Sequence, residues 1–87
     1  MSYQYDKERP WIFTDEGQRQ FLAIRDHCHR LLKTSGAARM LEIVSKSTGS
    51  SWHHIACVDR MLELGELKEL TGPDVCGQNR VFVSTER

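Results

Sequence analysis

Apolar positions along the chain fall into two helical stripes and then an alternating segment. Phe21, Ile24, Cys28, Leu31 and Leu32 recur three or four residues apart, the spacing of one face of an α-helix. Thr14 is a good N-cap, and Asp15 and Glu16 place negative charge in the first turn, where the helix dipole favours it. Lys33 and Gly36 supply ordinary stop signals, so the first helix is predicted over Asp15 to Ser35. Ahead of it, Pro10-Trp11-Ile12-Phe13 forms an apolar cluster, from which Trp11 or Phe13 is expected to fold back over the first turn. Residues Met1 to Arg9 are polar with two tyrosines and read as a tail or short pairing arm. Residues 1–13 are accordingly an N-terminal arm, and residues 14–87 the domain.

Beyond Gly36, Ala37 to Met40 is too short to make a strand by itself, while Leu41, Ile43 and Val44 suit a short second helix. Ser45-Lys46-Ser47-Thr48-Gly49 has the composition of a turn. Ser50 or Ser51 then caps a third helix, with Trp52, Ile55, Val58, Met61 and Leu62 on one side and Leu64 joining them before Gly65. Trp52, in phase with Ile55, is expected in the core. After Gly65 the period changes. Leu67 and Leu70 fit a short strand loosely, and Thr71-Gly72-Pro73-Asp74 and Gly77-Gln78-Asn79 are turn signals. Arg80 to Thr85 is rich in β-branched and aromatic residues and reads as a returning strand. The expected fold class is α+β, with three helices and a C-terminal β-hairpin.

With 87 residues, the chain has room for one core. Hydrophobic residues are 39% and charged residues 28%, the balance of a folded chain rather than a disordered one. No apolar run approaches the roughly 20 residues needed to span a bilayer, so no membrane association is expected. Residues 1–7 lack the apolar stretch of a secretory signal. Cys28, Cys57 and Cys76 are odd in number and form no close pair, which argues against a disulfide framework and suits a cytoplasmic protein. Net charge is zero, but its distribution is uneven: residues 1–48 carry +2 and residues 49–87 carry −2.

The order of long helix, short link, short helix, turn, helix, glycine and hairpin resembles the winged helix-turn-helix family of DNA-binding domains over roughly residues 14–85. The most specific stretch is Val58-Asp59-Arg60-Met61-Leu62-Glu63-Leu64-Gly65-Glu66-Leu67, which looks like the end of a recognition helix turning into the first wing strand. Gln78-Asn79-Arg80-Val81-Phe82-Val83 looks like the returning wing strand. In that family a short strand between the first two helices often joins the wing sheet, and Ala37 to Met40 is the matching position. The resemblance implies a transcriptional regulator that binds double-stranded DNA with its third helix in the major groove and its wing on the backbone or minor groove. Carried onto this sequence, the groove-facing residues are Ser50, Ser51, His53, His54 and Arg60. Gln78, Asn79 and Arg80 are the wing contacts, and Lys46 a phosphate contact in the turn. This surface holds about three cations opposed by Asp59, Glu63 and Asp74, whereas phosphate neutralisation supplies much of the affinity of DNA binding.

Other chemistry is thin. His53 and Cys57 stand four apart, but zinc takes four ligands, usually as spaced pairs, and Cys28 lies on an apolar stripe. The remaining histidines read as exposed polar residues. A Cys57–His54 pair lacks an orienting third residue, and no phosphate-binding glycine loop is present. No enzymatic activity, metal or cofactor is expected. Tyr3, Tyr5 and Trp11 fall outside the periodic core and suit an interface, either with the body of the domain or with a second copy. The alternative to DNA binding is therefore a winged-helix protein–protein interaction module, as a homodimer or with a protein partner through the N-terminal arm and first helix.

Overall fold

Thr14 starts the long helix as its side chain predicts. Its Oγ1 accepts a hydrogen bond from Gly17 N at 3.0 Å, and Gly36, at φ 80°, closes the other end in the left-handed conformation that glycine adopts without strain. In the computed structural model, which describes residues 2–45, 49–70 and 79–85, this helix is the second element. The order is α1 (Tyr5–Ile12), α2 (Asp15–Ser35), β1 (Ala37–Arg39), α3 (Met40–Val44), α4 (Ser51–Glu63), β2 (Leu67–Leu70) and β3 (Val81–Ser84). The described residues thus form an α+β domain of four helices and a three-stranded antiparallel sheet in the order β1-β3-β2. The expected hairpin is present as the β2–β3 pair. The short link after α2 becomes a strand because β3 supplies it with a partner. Residues 71–78, expected from sequence to hold turns and including Cys76 and Gln78, lie outside the described residues, as does Lys46.

Two expectations are corrected. The segment read as a tail or short pairing arm is helical from Tyr5 to Ile12, and that helix packs on α4. No apolar stripe announces α1, and Pro10 withholds a backbone donor from it. Docking selects the helix: Ile12 is fully buried, and Tyr3, Tyr5 and Trp11 pack against the core. The second correction concerns the phase of α4. Its buried residues are His54, Ala56, Cys57, Val58 and Met61, while Trp52, Ile55 and Leu62 are only half-buried. Because α4 lies between α1 and α2, its buried arc is wide and centred about one position away from the stripe read in sequence.

The core joins the inner faces of α2, α3 and α4 to one face of the sheet. Ile24, Cys28, Met40, Ile43, Cys57, Val58, Met61 and Phe82 are essentially inaccessible, each large aliphatic or aromatic side chain contributing about 1.5–3 kcal/mol through burial. The helices meet the sheet where Phe82 of β3 sits beside Ala38 of β1, both buried. The junction of α1 and α2 is tight. Gln18 Nε2 donates to the Ile12 carbonyl at 2.7 Å, and a Cβ built on Gly17 would collide with the backbone of Trp11 and Ile12.

Candidate functional site

The expected recognition surface consists of α4 and the returning strand. Ser50 and Ser51 are exposed at the start of α4, although the Ser50 side chain makes no capping bond. Asn79 is exposed just before β3. These three stand where the sequence reading puts them. The other described candidates do not face free solvent.

His54 is 4% exposed and belongs to the core stripe of α4, which corrects its reading as a surface imidazole. Its position is set by the helical repeat, for His54, Val58 and Met61 share one face at spacings of four and three. His53 lies under α1, its ring stacked on Trp11 at 4.0 Å between centroids and 7° between planes. Its Nε2 is 3.6 Å from Glu8 Oε1. Trp11 therefore packs on α4 rather than over the first turn of α2, and Phe13 is half-exposed.

Both arginines are committed to carboxylates of their own chain. Arg60 Nη1 donates to Glu63 Oε1 at 2.7 Å, and its guanidinium lies 5.1 Å over the Phe13 ring. Arg80 donates from Nε and Nη2 to the two oxygens of Glu69 at 3.0 and 2.9 Å, and from Nη2 to Asp59 Oδ1 at 2.8 Å. The arginine side chain is only 19% exposed. Strand periodicity explains this placement. Arg80 is two residues before the buried Phe82 and so shares its face; cross-strand register puts Glu69 opposite Phe82 on that face too. Donation to Glu69 raises the Arg80 pKa against the opposing effect of burial, and donation to Asp59 adds to the rise; Arg80 in turn lowers that of Glu69.

A second cluster holds α1 on α4. Tyr3 Oη donates to Asp59 Oδ2 at 2.6 Å, and Tyr5 Oη donates to Glu63 Oε1 at 2.7 Å. Arg9 Nε reaches both Glu63 oxygens at 3.1 Å. Bonds from Tyr5, Arg60 and Arg9 hold the Glu63 carboxyl down at about 2. Burial and the bond to Glu63 push the Tyr5 hydroxyl up to about 12. Sequence reasoning set Tyr3 and Tyr5 aside as interface residues without locating their partners, since neither Asp59 nor Glu63 is near them in the chain. The acids Asp59 and Glu63, one helical turn apart, are the signal that could have paired with the tyrosines.

On the metal and thiol chemistry weighed in the sequence, Cys57 is fully buried on the inner face of α4, and burial pushes its thiol up to about 12. Burial likewise pushes Cys28 up to about 11. Protonated, apolar surroundings make these thiols core side chains rather than nucleophiles or ligands. A pocket of about 150 Å³ opens between Trp11, Glu16, Gln20, Ser50 and His53, below the roughly 300–1,000 Å³ of small-molecule sites.

The opposite face of the sheet is different in character. Register aligns Leu70 with Val81 and Arg39 in one row, and Lys68 with Val83 and Ala37 in the next. These residues alternate with the inward-facing Phe82 and so point away from the core. Leu70 is 44% exposed, Ala37 is exposed, and Val81 and Val83 are half-buried. No helix among the described residues is long and apolar enough to cross a membrane. Comparison of the chain with protein-family models, with curated protein sequences and with solved structures returned no match.

Proposed function

We propose that this chain is a winged-helix-type protein-interaction domain rather than a reader of DNA. The observation that carries this is the occupation of Arg60 and Arg80: of the three cations expected to meet DNA, these two are paired with Glu63, Asp59 and Glu69, while Lys46 lies outside the described residues. Binding to a polyanion draws its affinity from unneutralised Lys and Arg, and here the adjoining face of α4 is also roofed by α1. The helix–strand–helix–helix–hairpin order, with β1 on β3, supports the winged-helix part of the reading. The contact surface is the outer sheet face, where Leu70, Val81, Val83 and Ala37 form a continuous apolar strip with Lys68 and Arg39 at its border. Contiguous exposed apolar surface of this kind marks interfaces more often than scattered single residues do.

The test measures both readings on one sample. Sedimentation or light scattering across a concentration series is expected to show self-association, or a capture experiment a defined protein partner, and Leu70→Glu with Val83→Lys should abolish it while the fold persists. Random duplex DNA at low salt is expected to show no enrichment. Enriched, steeply salt-dependent duplex binding would restore the DNA-binding reading and overturn this one.

A further inference from the structure

The N-terminal segment covers α4 in an unusual way. From residues 2–12, only Ile12 is fully buried; Tyr3, Tyr5 and Trp11 are half-buried against the core, and polar side chains make the rest of the grip. Tyr3 bonds Asp59 and meets Trp52 edge-on at 6.5 Å; Tyr5 and Arg9 converge on Glu63. The Arg9 and Glu63 side chains are 39% and 37% exposed, a setting in which solvent screens ion pairs and leaves them weak. The helix itself contributes little. It has eight residues, contains Pro10 and lacks a side-chain N-cap, and isolated helices this short do not persist in water. Docking is thus what keeps residues 5–9 helical. Beneath them, α4 presents Trp52, Asp59 and Glu63 along one flank, an aromatic and two carboxylates matched to hydroxyl and guanidinium donors.

We propose that residues 2–9 are a displaceable strap lying in a peptide-binding site of α4, and that a partner segment bearing aromatic hydroxyls and an arginine takes their place. The chain's own segment is the template for that partner: tyrosine hydroxyls on Asp59 and Glu63, an aromatic edge on Trp52, and a guanidinium on Glu63. The intramolecular segment competes at the high effective concentration of a tether, so the site opens to a free peptide when the strap is weakened. This site is separate from the outer face of the sheet, and the inference stands or falls without it.

The experiment uses the whole 87-residue chain. In a Tyr3→Phe, Tyr5→Phe, Arg9→Ala variant, a synthetic peptide of residues 2–10 is titrated while backbone amide resonances are followed. Saturable shifts at Trp52, Asp59 and Glu63 are expected, with affinity for the wild type at least about tenfold weaker because its own strap occupies the site. A folded variant that shows no saturable shift at those residues overturns the proposal. Hydrogen exchange on the unmodified protein gives an independent reading should the variant fail to fold. The amides of Lys7, Glu8 and Arg9 are expected to exchange through local opening at least about tenfold faster than those of Val58 and Met61. Equal protection of the two sets would show that the segment leaves only when the whole domain unfolds, and would equally overturn the proposal.

Discussion

Gly17 is the residue whose side chain, or lack of one, decides most. In an open helix, replacing glycine by alanine gains up to about 1 kcal/mol from propensity. Here the added methyl would meet the Trp11 carbonyl and the Ile12 backbone, neither of which is the flexible end of a side chain. The sign therefore reverses. Gly17→Ala is expected to lower stability by about 2 kcal/mol or more, the size of an overpacking defect, read as a fall in the urea midpoint. A stabilised variant would mean that α1 does not sit against the first turn of α2. The same contact explains why Gly17 is buried within a turn whose neighbours Asp15, Glu16 and Gln18 are exposed. At this scale the sequence was only partly readable: Thr14 and Gly36 acted as their local chemistry predicts, whereas Gly17 looked like an ordinary helix-weakening residue.

Among the elements, α1 and α4 form the pair whose association depends on charge. Glu63 accepts from Tyr5, Arg9 and Arg60, and its carboxyl titrates at about 2 against an ordinary value of 4.5. A depressed folded-state pKa means that the ionised form is the one bound. Its stabilising contribution is complete above about pH 4.5 and is lost as the pH falls toward 2. Loosening of α1, seen as a change in Trp11 fluorescence ahead of global unfolding, is expected in that window. Glu63→Gln should shift the loosening to neutral pH and flatten its pH dependence. A fluorescence change in Glu63→Gln that still follows pH between 4.5 and 2 as in the wild type would assign the effect to other carboxylates. Burial opposes ionisation of Glu66, but bonds from Arg25 and His29 outweigh it and lower the pKa; Glu66 anchors α2 to the turn after α4, not α1.

Across the whole molecule, Asp59 is the point at which the beginning and the end of the chain meet. One oxygen accepts from Tyr3, 56 residues away, and the other from Arg80 of the segment entering β3. Removing Arg80 leaves Asp59 and Glu69 facing each other without a cation. Arg80→Ala is expected to cost about 1.5–3 kcal/mol, the range for hydrogen bonds to charged groups, because the cluster is partly buried. Combined with Tyr3→Phe, the two losses should depart from additivity by about 0.5–1 kcal/mol because both act through one carboxylate. Strict additivity in urea unfolding would mean that the N-terminal segment and the sheet are energetically separate. The coupling also gives a physical reason for the poor fit of this surface to DNA, since its two arginines already stabilise the fold.

The elements whose signals are local were determined by sequence alone. Asp15–Ser35 is bounded by Thr14 and Gly36, α4 carries apolar residues at helical spacing ahead of Gly65, and Val81–Ser84 is β-branched and aromatic; caps and side-chain periodicity act within a few residues and need no knowledge of the rest of the chain. Even the inward direction of Arg80 was available from its parity with Phe82. Tertiary structure alone decided that residues 5–12 are helical, that His54 rather than Trp52 enters the core, and that Tyr3, Tyr5 and Arg80 find carboxylates. Those outcomes depend on groups brought together from more than fifty residues apart in the case of the tyrosines, and on a helix covered from two sides, which a single hydrophobic stripe does not encode.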